Sequence, residues 1–424
     1  MNKNHKLSTT LFNTAALLAA CASSAQSDDS GAVELTSGDA FGGDFFEQDG
    51  VTGDWLGARN WLDERGISPY ATFTGEFLAN VDGGIDDGSA WSGLVDFGLN
   101  VELAKLTGWE GGTLFANAFY FHGNDLSGDY VGDFNGVSNI YTDTEVNVFN
   151  IFLRQGFWGG RVWAKAGQIA ADDDFMIADS ADVFVNAAFG TPSFESGNIT
   201  APIYPLAAPG ALVYVEPLEG FFIQGAIYAG DAGPAQSNNH GFDWRTGGSA
   251  GWAWFGETGY HYTLLGEGVI KLGGYYATGD FGNFANGNTE SGLGAVYALI
   301  DHCFFDAEHS PVGLTAFIRG GITPDESLAT VAASITGGVN TNSLFFGDDV
   351  LGLGVTHTIF GNEYLVATRA GGTAVTSTET VLECTYQAPV TQWLAIQPDL
   401  QYIFDPHYSD RNALVLGVRA ELLF

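Results

Sequence analysis

Basic residues are scarce: 14 Lys and Arg face 50 Asp and Glu in a chain of 424 residues, for a formal net charge of −36. A chain of that sign repels nucleic acid, whose binding rests on Lys and Arg neutralising phosphates, so no nucleic-acid partner is expected. Charged residues reach only 15%, against roughly 25% in ordinary soluble domains, which argues against an average cytosolic enzyme. Beyond the first 25 residues there is no apolar run approaching the about 20 residues of a spanning helix. An integral membrane protein with this sequence must therefore be a closed barrel. Cys303 and Cys384 sit in apolar segments without CxxC spacing, which gives no metal site and no redox pair and leaves a disulfide between them unsupported. What is abundant is glycine (59 residues) and aromatics (14%), within 46% hydrophobic residues, a composition unlike a disordered acidic tail.

The chain begins with the layout of a secretory signal peptide over 1–25: Lys3 and Lys6, an apolar stretch Leu11–Ala20, then small residues to Ala25. Cleavage after Ala25 is the main reading; in the alternative, Leu18-Ala-Ala-Cys21 is a lipoprotein box and Cys21 carries the lipid. Loss of the two leader lysines takes the charge from −36 to −38. Residues 26–52 read as an acidic, flexible lead. Residues 53–66 read as a short helix, with Asp54 as N-cap, Trp55, Ala58 and Leu62 on one face and Gly66 at the C-terminal cap. From 67 to 424 the pattern changes to period two. Phe73, Gly75, Phe77 and Ala79 alternate with Thr72, Thr74, Glu76 and Asn80, and Ile396, Leu400 and Tyr402 alternate with Gln397, Asp399 and Gln401.

A soluble sandwich alternates in the same way, so other features must decide. The segments are about ten residues long, as tilted transmembrane strands are. Aromatics such as Trp109, Phe157, Trp158, Tyr260, Tyr262, Tyr275 and Tyr276 gather near segment ends, and Gly/Asp/Asn turns separate them. The last segment, Leu416, Val418, Ala420, Leu422 and Phe424, is one apolar face ending in an aromatic, which resembles the assembly signal of bacterial outer-membrane barrels. The expected class is all-β: a transmembrane antiparallel β-barrel with a short N-terminal helix, in contact with outer-membrane lipid and the barrel assembly machinery.

Several separated motifs, in order, carry a specific likeness. They include Gly53-Asp-Trp-Leu-Gly-Ala-Arg59, Glu64-Arg-Gly-Ile67, Gly108-Trp-Glu-Gly-Gly-Thr113 and Gly167-Gln-Ile-Ala-Ala-Asp-Asp-Asp-Phe175. Ala188-Phe-Gly-Thr-Pro192, Tyr204-Pro-Leu-Ala-Ala-Pro-Gly210, Gln397-Pro-Asp-Leu-Gln-Tyr402 and Asn412-Ala-Leu-Val-Leu-Gly-Val-Arg419 continue it. Together, over about 53–424, the sequence resembles the OprB-type carbohydrate-selective porins. That resemblance implies about 16 strands in the bacterial outer membrane, inward loops that narrow the pore, and passive diffusion of monosaccharides and similar solutes with no cofactor. It leaves open a monomer or a homotrimer.

The pore-lining candidates follow from parity. In the stretch 161–168, Val162, Ala164 and Ala166 face lipid, so Arg161, Trp163 and Lys165 face the lumen, because a cation facing lipid costs about 2–4 kcal/mol at midplane. Arg154, Glu383, Gln397, Asp399 and Gln401 are placed in the lumen by the same argument. A sugar channel wants hydrogen-bonding groups beside aromatic surfaces, held loosely enough that the solute leaves. No catalytic or metal residue is expected. Gly247-Gly-Ser-Ala-Gly251 satisfies GxSxG without the strand–turn–helix context of a nucleophile elbow. Asp172-Asp-Asp174 and Asp82-Gly-Gly-Ile-Asp-Asp87 lack EF-hand spacing and read as solvated turns. The rival readings are a general cation-preferring porin, an outer-membrane barrel hydrolase and a secreted β-rich adhesin. The strong acidity fits either a saline habitat or a cation-biased pore.

Overall fold

The structure is a computed structural model; it describes residue 48 and residues 50–234, 238–305, 312–345 and 348–424. The expected signal peptide, Cys21 and most of the acidic lead lie outside the described residues. Sixteen strands are each paired antiparallel with their sequence neighbours: β1 (Ile67–Gly83), β2 (Gly88–Glu102), β3 (Gly112–Gly123), β4 (Val146–Phe157), β5 (Val162–Ile169), β6 (Ala208–Leu218), β7 (Phe221–Ala229) and β8 (Trp252–Thr263) form one half. The other half is β9 (Glu267–Gly282), β10 (Thr289–Phe305), β11 (Gly313–Ile322), β12 (Val331–Asn342), β13 (Val350–Phe360), β14 (Thr378–Thr391), β15 (Leu394–Phe404) and β16 (Ala413–Leu423). Pairing of β1 with β16, from Thr72 opposite Leu423 to Gly83 opposite Ala413, closes the barrel. Closure removes every sheet edge, so each main-chain polar group of the wall finds a partner without water. No helix of the described residues is long and apolar enough to cross a membrane.

Burial along the strands is inverted relative to a soluble protein. On β15 the polar Gln397, Asp399 and Gln401 are buried, while Leu400 and Phe404 are exposed. Exposed Leu272, Val296, Ile318, Ile335, Leu353, Leu416 and Val418 continue an apolar outer surface around the wall. That surface suits hydrocarbon, and the polar residues between them point into the barrel.

One rim carries short connections and both described chain ends; the opposite rim carries the long ones. The short rim includes a five-residue helix, α2 (Leu103–Thr107), after β2. Beside it, the segment expected to be a single helix over 53–66 is broken. A 3-10 turn at Trp55–Gly57, with Leu56 at φ 61° and Gly57 at φ 87°, precedes helix α1 (Ala58–Asp63). The Asp54 carboxylate accepts the Asn60 N–H at 3.0 Å, so the capping residue acts across a kink. None of Trp55, Ala58 or Leu62 is buried; the segment is held instead by Arg59, which donates to the Phe424 main-chain oxygen.

Candidate functional site: the loop-lined constriction

Two of the long connections turn inward. The 124–145 segment, between β3 and β4, and the 170–207 segment, between β5 and β6, enter the lumen; the second contains helices α3 (Ala187–Gly190) and α4 (Ser193–Ser196). A loop inside a barrel must satisfy its own main chain, and here the wall does it. Glu383 on β14 accepts N–H from Val185 at 2.6 Å and Asn186 at 3.0 Å. Glu257 on β8 accepts from Met176 at 3.1 Å, and Asp301 on β10 accepts both the N–H and hydroxyl of Ser180. Arg319 on β11, fully buried, donates to the carbonyls of Met176, Ala188 and Phe189. For the first loop, Glu379 accepts from Phe134 (2.8 Å) and Asn135 (2.9 Å). Glu76 pairs with Arg419 at 2.8 Å, and that pair gathers Ser138 and Asn139.

Glycines on the wall make the close approach possible. A Cβ at Gly354 on β13 would lie 2.5 Å from the Phe189 ring, and one at Gly321 on β11 would lie 2.4 Å from that of Phe194. The Phe184, Phe189 and Phe317 rings pack there as one buried cluster.

Between the two loops is a cavity of about 280 Å³ lined by Asn135, Asn139, Asp172, Asp182, Thr191, Ser193, Tyr204 and several apolar neighbours. Its polar lining consists of amides, hydroxyls and carboxylates, with no basic side chain. Asp172 is held by the Tyr204 N–H (2.9 Å) and the Thr191 hydroxyl (3.0 Å). Burial nevertheless pushes its carboxyl up to about 6, against the pull of those two hydrogen bonds. Burial likewise raises Asp173 to about 7, although Lys165 pulls it the other way.

The expected lining residues fall into three groups. Arg154, Trp163 and Lys165 share the lumen face of β4 and β5, with the Arg154 guanidinium 4.5 Å from the Trp163 ring. Lys165, 2% exposed, forms an ion pair with Asp174 of the inward loop. Arg161 is a correction: it lies exposed in the turn before β5, not on the strand's lumen face. The alternation it was read from begins one residue later. Glu383, Gln397, Asp399 and Gln401 do point inward but are buried beneath the loops. Gln397 donates to Val183 O at 2.6 Å; Gln401 donates to Val137 O at 2.9 Å and accepts from Asn186 at 3.0 Å. The cavity-lining loop residues were not identified from parity, because irregular segments have none. The Asp172–Asp174 run and the motifs at 188–192 and 204–210 were local signals of their place.

A closed antiparallel barrel with an apolar outer surface and a loop-narrowed polar lumen defines the class of outer-membrane diffusion porins. The chain belongs to the OprB family of carbohydrate-selective porins, whose profile it matches over residues 86–424. It is accordingly an outer-membrane channel and not an enzyme. It is 24% identical to Porin B of Pseudomonas aeruginosa over 440 residues, covering 88% of this chain and 91% of that protein. It is 28% identical over 142 residues to the putative porin QuiX of Acinetobacter baylyi, covering 31% of this chain and 32% of that one. Among solved structures, the high-pH structure of Pseudomonas putida OprB superposes with TM-score 0.80 at 22% identity, covering 89% of this chain and 99% of that chain. The low-pH structure of the same protein gives 0.59 at 19% identity over the same shares.

Proposed function

We propose that neutral monosaccharides and similar small sugars cross this barrel passively through the opening between the two inward loops. The observation that carries the reading is the cavity between those loops, where donors and acceptors of mixed type face the solute while the neighbouring bases Arg319, Arg419 and Lys165 are engaged elsewhere. A sugar hydroxyl both donates and accepts, so the Asn135 amide nitrogen, which has no partner among the described residues, and the Thr191 hydroxyl, which can still accept, can exchange with its water shell. No single strong ion pair delays exit. In this scheme Glu383, Gln397, Asp399 and Gln401 are positioning residues that fix the loops. Lys165 anchors the 170–207 loop, Arg154 and Trp163 meet the solute beyond it, and Arg161 at the rim has no part in selection. Planar-bilayer conductance with added glucose, together with liposome swelling, tests the reading. Sugar-dependent block and faster swelling in glucose than in a charged sugar of similar size are expected. Equal rates for all solutes below a size limit would overturn it.

A second reading, a general cation-preferring porin, is favoured by one observation: the charged residues lining the cavity are Asp172 and Asp182. The two readings differ in whether glucose competes with the ion current.

A further inference from the structure

On the lumen wall next to the inward loop, aromatic rings from four neighbouring strands stack in series. Trp163 on β5 stacks on Tyr214 of β6 with centroids 5.2 Å apart and planes 11° off parallel. Tyr214 stacks on Phe222 of β7 at 5.4 Å and 21°, and Phe222 meets His261 of β8 at 5.6 Å and 38°. The Arg154 guanidinium closes the Trp163 end. The series lies on the short-turn side of the constriction. Lys165 and Gln224, which both bind Asp174 of the inward loop, stand two residues from Trp163 and Phe222 on the same strands.

The stacking geometry decides what such a wall offers. In the two near-parallel pairs the facing ring surfaces have centroids only 5.2 and 5.4 Å apart, too close for a sugar ring to enter between them, and Phe222 and His261 are tilted toward each other. What remains is the polar edge of each ring. Trp163 Nε1, Tyr214 Oη, the His261 imidazole and the five guanidinium donors of Arg154 make no hydrogen bond with any described residue, and Trp163, Tyr214, Arg154 and His261 all keep solvent exposure. Phe222 has no polar edge; it is buried and serves as the spacer. Free hydrogen-bonding groups held in one geometry by stacking lose little side-chain entropy when a ligand arrives.

We propose that Arg154, Trp163, Tyr214 and His261 form a second solute station, beyond the constriction, that recognises the hydroxyl groups of neutral polyols. It rests on the reading that sugars pass this barrel. Because it reads hydroxyls and not ring faces, it accepts acyclic polyols such as sorbitol as well as pyranoses. The Arg154 and Tyr214 groups contact the solute first as it leaves the loops, and His261 contacts it last.

The test is block of ion current through the purified barrel by glucose, sorbitol and glycerol, in the unmodified protein and in Tyr214→Phe, Arg154→Gln and His261→Leu. Tyr214→Phe keeps the stack and removes only one hydroxyl. Each variant is expected to raise the half-blocking concentration of glucose and sorbitol alike by at least about fivefold, while heat-modifiable gel mobility stays as in the unmodified barrel. Unchanged block by both solutes in all three variants, or block by glucose without block by sorbitol, would overturn the station while leaving sugar passage intact. Neither block nor swelling with any sugar in the unmodified barrel would overturn the parent reading and the station together.

Discussion

The carboxylate of Glu383, on the wall, accepts the main-chain N–H of Val185, in the loop, at 2.6 Å, and its second oxygen accepts that of Asn186. One wall side chain thereby holds two consecutive peptide groups inside the lumen. Glu379 repeats the arrangement at Phe134 and Asn135, and Glu257 and Asp301 each hold one further loop N–H. Wall carboxylates therefore hold loop N–H groups, while Arg319, Gln397 and Gln401 donate to loop carbonyls in return.

Removing such an acceptor strands buried N–H groups, at about 1–3 kcal/mol each. Glu383→Ala is expected to release the 183–186 segment without opening the barrel. Single-channel conductance should rise, and the swelling rates of glucose and glycerol should converge. Glu383→Gln retains an acceptor and should fall between the two. Conductance unchanged in Glu383→Ala would show that the loop is held without this contact.

Gly354→Leu tests the close approach of the loop to β13. Its Cβ alone would meet the Phe189 ring at 2.5 Å, so the loop must move inward or detach. Assembly should persist, because the strand pairing of β13 uses only main-chain groups. The expected readout is a conductance change of at least about twofold, in either direction, with normal heat-modifiable mobility.

Cation preference should depend on pH in a defined window. Burial places the Asp172 carboxyl at about 6 and that of Asp173 at about 7. Both are raised, so the folded protein takes up protons that an exposed carboxylate would take up only near 4. As pH falls from 8 to 5 these groups lose their charge, and the cation preference read from reversal potentials in a KCl gradient should weaken. The linked stability has the matching sign: a raised carboxyl favours the folded state as pH falls through its folded value. Asp172→Asn with Asp173→Asn should flatten the step. A step centred near pH 4 would place the responsible acids at the exposed rims.

Two cations of the same segment should behave differently. Lys165→Gln leaves the buried Asp174 without its ion-pair partner and should alter glucose flux through displacement of the loop, since loss of one member of a buried pair is costly. Arg161→Gln, in the exposed turn, should leave both flux and assembly at the unmodified level. Liposome swelling on the two single variants separates them.

Phe424 continues the apolar face of β16, and its N–H donates to Ala71 O at 2.9 Å, next to the closing seam. Replacing it by Asp should lower the yield of inserted, heat-modifiable protein severalfold in cells while leaving the refolded barrel's conductance unchanged. Normal insertion of Phe424→Asp would mean that assembly is signalled elsewhere.

What the sequence by itself determined is the wall. A strand's side chains alternate whatever lies beyond it, so the inward set of Gln397, Asp399 and Gln401 and the outward set of Leu400 and Leu416 could be read from neighbours in the chain. Membrane residence followed from segment length, the aromatics near segment ends and the apolar last strand ending in Phe424, since a soluble sandwich alternates in the same way. The limits of that reasoning lie at the ends of regular structure. Arg161 was counted into β5 although the strand starts at Val162, and the helix at 53–66 is interrupted where Leu56 and Gly57 take positive φ. Only the tertiary structure decided which inward groups the loops cover. Glu383 and Val185 are 198 residues apart, and no local pattern relates them. Barrel closure brings the wall around the 170–207 loop, so side chains that parity places in the lumen become supports beneath it. The cavity between the loops is lined by Asn135, Asp172, Thr191 and Ser193, whose irregular main chain follows its hydrogen-bond partners across the barrel and carries no period of its own.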